Sequence, residues 1–339
     1  MSGEPAVLLR QGKVAYANGG ALRLFGTDCV GSPAEELIGP ELSRFPARSF
    51  LASFEIKGAS YILRTNRLEE GRLVFFQKQQ EALLIINDAF LYNLRCNLMT
   101  LGVAADKLRP AVEDAGFTAL RGDLMALTAG YFKLMRLSEN ASFVHSVLSH
   151  SPVVLPVTLD LSLLCQAVLD TVEESFPGLE LVREIPAGVQ AVADPRLIRQ
   201  LLFNLLSNCL CHAHAAFVQV KLMETPGSIV LAVSDNGVGI PVDALPTVFE
   251  RYRRDYTLGE LKGGAGLGLT TALEIARLHG GTLLLESREG QGTSVRASFS
   301  RHTAPIRLGM SQELCPVREV LVGLADCLPL EAFDMKYMD

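Results

Sequence analysis

The sequence predicts an α+β protein of three parts and a tail. Short apolar stretches broken by Gly-bearing turns fill residues 5–77. Two long helical patterns fill 78–150. Strands then alternate with helices through 155–301, which predicts a sheet with helices packed on one face.

In the first part, AVLLRQGKVAYANGGALRLFG and SFEIKGASYILRTNRLEEGRLVFFQ alternate apolar and polar positions, as half-buried antiparallel strands do. The second part holds a seam. Phe117, Leu120, Leu124, Leu127, Tyr131 and Leu134 recur at spacings of 3, 4, 3, 4 and 3. The preceding helix runs from about Gln79 to Leu108, with Leu83, Phe90, Leu94, Leu98 and Leu101 on its apolar side. Pro110 and Gly116 bracket the break. A lone hairpin leaves an apolar stripe uncovered, so two copies are expected to pair as a four-helix bundle in a homodimer. The third part reads as helix 161–175, strand 179–185, helix 195–214, strands AAFVQVKLM and SIVLAVSD, helix 268–279, then strands TLLLESRE and TSVRASFS. Residues 302–339 form a tail with one amphipathic piece, PVREVLVGLADCLPLEAF, which has no role assigned from sequence.

Composition excludes several classes. The net charge of −6 is spread along the chain, which speaks against a nucleic-acid partner. No apolar run reaches the roughly 20 residues of a membrane span. The start, MSGEPAVLLRQGKV, lacks a signal-peptide pattern, so the expectation is a soluble, cytoplasmic protein. The seven cysteines follow no framework spacing and are expected to be reduced thiols. Cys209, Cys211, His212 and His214 form the one cluster with metal-ligand chemistry. On a helix, positions 209 and 211 point about 200° apart, so ordinary helix residues are the better reading.

Four motifs carry chemistry in the third part. Asn204 and Asn208 in NLLSN lie four apart on one helix face. In VSDNGVGI the strand ends at Asp235, and Gly237 and Gly239 let backbone approach closely. VFERYRR opens a polar stretch, DYTLGELKGG, long enough for a lid. GGAGLGL runs straight into a helix, where free N–H groups and the dipole suit phosphates.

In this order the motifs resemble the N, G1, F and G2 boxes of the GHKL ATPase superfamily, and the F box is similar to that of sensor histidine kinases. The phrases ADPRLIRQLLFNLLSN and LHGGTLLLESREGQGTSVRASF resemble the same family. The resemblance implies a GHKL α/β sandwich over 155–301 that binds ATP and Mg²⁺. Asn208 would give its side-chain oxygen to Mg²⁺, with Asn204 nearby. Asp235 would accept from the adenine amino group, and Gly237 and Gly239 would shape the base pocket. Gly264, Gly266 and Gly268 would wrap the phosphates, Phe249 would anchor the lid, and Arg251, Arg253 or Arg254 would meet phosphate charge. Cys211 stands where the family often has Lys, which removes a phosphate contact. The phrase GKVAYANGGALRLFG resembles the opening of a PAS sensor domain, giving a PAS-like part over 5–77, with Cys29 read as core.

The resemblance also puts an H box on the first hairpin helix. The family's H-E-L-R-x-P-L aligns without gaps with YNLRCNL, residues 92–98. Leu94, Arg95 and Leu98 match, while Tyr92 replaces the histidine, Asn93 the acid and Asn97 the proline. Tyr92 lies about 160° around the helix from Phe90 and Leu94, so it is expected to point outward. A phenol of pKa near 10 is protonated at neutral pH, whereas a neutral imidazole is a competent nucleophile. His145 and His150, at the end of the second helix, are the other candidate acceptors. Three readings follow. One is a two-component histidine kinase, an ATP-dependent phosphotransferase whose acceptor is unusual or supplied in trans. The second is a pseudokinase, an ATP-binding dimeric scaffold. The third is a phosphatase of a response regulator. The implied partners are a second copy and a response regulator or partner kinase.

Overall fold

The computed structural model describes residues 4–26, 29–38, 50–56, 59–68, 71–78, 88–114, 118–149, 151–176, 178–213, 215–241, 245, 267–300 and 317–333. Strands β1 (Ala6–Arg10), β2 (Lys13–Ala17), β3 (Phe50–Ile56), β4 (Ala59–Leu68) and β5 (Gly71–Lys78) form an antiparallel sheet in the order β2-β1-β5-β4-β3. Two short helices, α1 (Gly19–Phe25) and α2 (Ala34–Ile38), accompany it. The Asn18 amide fastens this part together. Its oxygen caps α1 by accepting from the Ala21 N–H at 2.9 Å, and it also accepts from the Ala6 N–H at 3.0 Å. Cys29 is buried with Val7, Val14, Leu63 and Phe76, as the sequence suggests.

The hairpin consists of α3 (Asp88–Asp114) and α4 (Thr118–Leu148). Helix α3 starts later than expected and runs straight through Pro110 instead of ending before it. Pro110 is exposed, so water can satisfy the carbonyl its missing N–H leaves free. The buried face of α3 is also rotated from expectation. Leu91, Leu98, Gly102 and Ala105 face inward, while Phe90 and Leu101 are exposed. Gly102 makes room for a ring: a Cβ there would stand 2.8 Å from Tyr131 Cζ. The seam on α4 divides. Leu124 and Tyr131 pack inside, whereas Leu120, Leu127 and Leu134 are left exposed one heptad apart. Leu83 and Phe117 lie outside the described residues. Among the described residues no helix is long and apolar enough to cross a membrane.

The third part contains β6 (Val157–Asp160), α5 (Leu161–Ser175), β7 (Glu180–Glu184), β8 (Gln190–Ala193), α6 (Pro195–Ser207), β9 (Phe217–Glu224), β10 (Ser228–Asp235), α7 (Gly268–Leu278), β11 (Leu283–Ser287) and β12 (Thr293–Ser300). Local chemistry sets the helix starts. Asp160 caps α5 by accepting from Ser162 and Leu163 N–H, and Asp194 caps α6 with Pro195 at its first turn. Helices α5, α6 and α7 bury Val168, Leu169, Ile198, Leu201, Leu202, Leu273 and Ile275 in one core with Val218, Val220, Leu231 and Phe299 of the sheet. The sheet order is β11-β12-β10-β9-β7, with β7 parallel to β9, while β6 and β8 pair separately.

Two long-range features were not expected. Strand β3 pairs with β11 through Phe50–Ala52 and Leu284–Glu286, which joins both sheets into one of ten strands. The tail is also part of the core. Helix α8 (Val317–Gly323) and a 3₁₀ turn, Leu330–Phe333, bury Val320, Leu321, Leu324, Ala325 and Phe333 against the α5–α6–α7 core. The fit against α6 is close, since a Cβ on Gly323 would stand 2.4 Å from the Phe203 ring. Cys327 of the tail is disulfide-bonded to Cys211, which corrects the expectation of reduced thiols throughout.

Candidate functional site

Helix α6 is amphipathic, with Leu197, Ile198, Leu201, Leu202, Leu205 and Leu206 buried. It stops at Ser207, and a π-helical turn, Asn208–His212, replaces the helix expected to reach 214. The wider turn changes how the residues after Asn208 are presented. Asn204 is almost wholly buried. Asn208 is half-buried, and its amide nitrogen has no hydrogen-bond partner among the described residues. An unpaired buried amide is costly and marks a place where a ligand or water would be accommodated.

Asp235 ends β10 beside this turn. Its carboxylate accepts from the Gly237 N–H at 2.8 Å and the Thr293 N–H at 3.3 Å. Burial pushes the carboxyl above its ordinary range, opposed by hydrogen bonds from Gly237, the Cys209 thiol and Thr293. The Cys209 thiol is itself pushed well up, chiefly by burial and then by the Asp235 charge. Gly237 and Gly239 are needed for packing within the protein. A Cβ on Gly237 would stand 2.3 Å from Ala213 Cβ, and one on Gly239 would stand 2.1 Å from the Arg288 carbonyl oxygen. Gly239 also has φ of +67°, where an L side chain is strained.

Helix α7 begins at Gly268 with Leu267 as its N-cap, whose side chain makes no capping hydrogen bond. A Cβ on Gly268 would lie 3.5 Å from Asn204 Oδ1. Leu267 packs with Leu91, Ala141 and Val144, which brings the hairpin up to this helix start. The fold therefore gathers Asn204, Asn208, Asp235, Gly237, Gly239 and Gly268 around the end of α6. Phe249, Gly264, Gly266, Arg251, Arg253 and Arg254 lie outside the described residues, as do His150, His214 and the His212 side chain. Among the described residues no group of three or more ligating side chains forms a metal site.

Tyr92 is 69% exposed on α3, as its expected outward direction requires, and Asn93 is exposed beside it. A hydrogen bond with the Cys96 side chain holds the Tyr92 phenol above its ordinary pKa. His145 is half-buried near the end of α4.

A polar network that sequence reasoning missed lies on the other side of Asn204. Arg136 Nη2 and Asn140 Nδ2 each donate to Asn204 Oδ1 at 3.3 Å. Gln200 Nε2 donates to Asn140 Oδ1 at 2.9 Å. Arg136 Nη1 donates to Asp326 Oδ2 of the tail at 2.9 Å. A signal existed: Thr128, Phe132, Arg136, Asn140 and Val144 are spaced four apart, and all five are buried on one ridge of α4. Arg136, Asn140 and Asn204 border a cavity of about 710 Å³ between the hairpin, α6 and the tail. Asn208 and Asp235 are not among its lining residues.

Residues 193–303 match the family model "Histidine kinase-, DNA gyrase B-, and HSP90-like ATPase". The sensor histidine kinase YkoH of Bacillus subtilis is 35% identical over 144 residues, 42% of this chain and 32% of that protein. The adaptive-response sensory kinase SasA of Synechocystis is 31% identical over 248 residues, 69% of this chain and 62% of that protein. Residues 193–303 thus carry an ATPase domain of the histidine kinase type, and the chain is similar to sensor histidine kinases. It spans less than two thirds of the length of these kinases. The solved histidine kinase AdeS of Acinetobacter baumannii is 18% identical with a TM-score of 0.44, covering 61% of this chain and 98% of that one. Within the family's ATPase domain, α6 carries Asn204 and Asn208, β10 ends at Asp235, and α7 opens at Gly268.

Replacing Arg136 by Ala is expected to leave Asp326 buried without its cation and Asn204 with one donor fewer. Breaking such a pair costs about 3–5 kcal/mol, which a urea unfolding curve would show as a lowered midpoint. Arg136→Met with Asp326→Leu removes both charges and should recover most of the loss.

Proposed function

We propose that this chain binds Mg-ATP but does not phosphorylate its own hairpin, and that it works as a dimeric signalling protein of the two-component type. The observation that carries the reading is Tyr92. It is exposed at the position of the family's acceptor histidine, its phenol is held above its ordinary pKa, and its neighbour Asn93 offers no base. At the ordinary phenol pKa, only about one molecule in a thousand is ionised at neutral pH. The Cys96 contact lowers that fraction further.

The nucleotide half of the reading rests on residues that fit the ligand. The buried, unpartnered amide of Asn208 suits a side chain that turns its oxygen to Mg²⁺. Mg²⁺ would neutralise phosphate charge there. The uncapped start of α7 at Gly268 supplies N–H groups to phosphate, and Asp235 offers an acceptor to the adenine amino group. Asn204, bonded to Arg136 and Asn140, couples this site to the hairpin. The client is a response regulator or a partner kinase, since ATP bound without an own acceptor serves binding, closure or transfer to another protein.

Three measurements test the reading. Wild-type protein incubated with γ-labelled ATP is expected to take no acid-labile label, whereas Tyr92→His with Asn93→Glu acquires it. Label on wild type that persists in Tyr92→Phe would move the acceptor elsewhere, with His145 and His150 next.

Calorimetry is expected to show ATP binding that weakens by about 1–3 kcal/mol in Asp235→Asn. The ionised carboxylate is the acceptor. Burial raises its pKa, so affinity falls as pH drops through a value above the ordinary carboxylate range.

The exposed stripe Leu120, Leu127 and Leu134 fits the partner copy's hairpin. Leu127→Glu should therefore turn a dimer into a monomer in light scattering. A monomeric wild type would sink that part.

A further inference from the structure

We propose that Cys211 and Cys327 are a redox-modification site whose disulfide locks the C-terminal segment onto the nucleotide domain and holds Arg136 on Asn204. The consequence for Asn204 rests on the nucleotide reading above; the lock itself does not. The bond joins residues 116 apart in sequence, from the π-helical turn after α6 to the end of the α8 segment.

The position of the bond is what gives it leverage. Cys327 follows Asp326, and Asp326 holds the buried Arg136 at 2.9 Å. Arg136 in turn donates to Asn204. Asn204 and Cys211 lie on the same stretch of chain, so the disulfide closes a ring of contacts running Asn204, Arg136, Asp326, Cys327, Cys211. Ser207 Oγ lies within that ring, 3.3 Å from Cys327 Sγ. With the bond made, the segment cannot leave α6 without unfolding the turn. With the bond open, non-covalent contacts hold it, among them the Arg136–Asp326 and Arg199–Glu319 pairs, the Arg318–Tyr131 hydrogen bond and the packing of α8.

None of the other described cysteines is disulfide-bonded. Cys29, Cys165 and Cys209 are buried, and burial pushes the Cys165 thiol up to about 12. Cys96 is exposed but free. Cys211 and Cys327 are half-buried, which leaves them within reach of a small thiol or disulfide.

The chemistry balances with a low-molecular-weight disulfide such as glutathione disulfide as oxidant. A thiolate of the pair attacks it, forming a mixed disulfide and releasing one glutathione. The second protein thiolate attacks the protein sulfur of that mixed disulfide and expels the other glutathione. The pair loses two protons and two electrons, which end on the two glutathione thiols. A dithiol or phosphine reverses the change.

The test uses the full chain in two states, treated with glutathione disulfide or with tris(2-carboxyethyl)phosphine. Peptide mapping without reduction should find Cys211 linked to Cys327 in the first state and free in the second. Backbone hydrogen exchange in 317–328 should speed up at least tenfold on reduction, and Cys327→Ser should show the fast rate in both states. ATP affinity in Mg²⁺ should rise between about twofold and tenfold on reduction, the range for freeing one hydrogen-bonded group. Free thiols after oxidation, a different linkage, or equal exchange in both states would overturn the lock. Equal ATP affinity in both states would overturn the link to Asn204. Absence of ATP binding in either state would instead remove the nucleotide reading, and mapping and exchange would still decide the lock.

Discussion

A guanidinium that is almost fully buried has to find its counter-charge inside the protein, and Arg136 finds it in Asp326. Moving a cation away from water is costly, and a single good partner with its remaining N–H groups satisfied is what makes it tolerable. The two groups that do this come from distant places. Asp326 belongs to the tail and Asn204 to α6, while Arg136 sits on the hairpin. Those three segments must meet if the charge is to stay buried. Much of the packing follows from that meeting. Gly323 lies against the Phe203 ring, Phe132 stacks with Phe333 at 6.0 Å, and Arg318 reaches the Tyr131 hydroxyl at 3.2 Å.

The legible parts of the fold are those set by neighbours in sequence. Asp160 and Asp194 announce helix starts because each bonds N–H groups two or three residues ahead. The apolar ridges of α5, α6 and α7 give their buried faces directly. The order of Asn208, Asp235 and Gly268 marks a nucleotide domain without any coordinates. What was not legible depends on partners far along the chain. The β3–β11 pairing, the docking of the tail and the Cys211–Cys327 bond have no local signature. The face of α3 was misplaced for a related reason. Phe90 and Leu101 are as apolar as Leu91 and Leu98, and only the approach of Tyr131 over Gly102 decides which set turns inward.

The two halves of the proposed chemistry sit on different physical ground. Gly237 and Gly239 are held by collisions that any side chain would cause with Ala213 and Arg288, whether or not a nucleotide binds. Their presence therefore says more about the fold of the domain than about its ligand. Asn208 says more, because its amide nitrogen has no hydrogen-bond partner among the described residues, and α7 starts without a side-chain cap from Leu267. Tyr92 is the opposite case. It is exposed, and the residues that pack this stretch of α3 are its neighbours Leu91, Leu94 and Leu98. A histidine at position 92 would serve chemistry without serving the core, so a tyrosine there leaves the hairpin packing intact and, in the proposed reading, takes away the acceptor. In the proposed reading the scaffold and the nucleotide site persist without the group that would receive the phosphoryl.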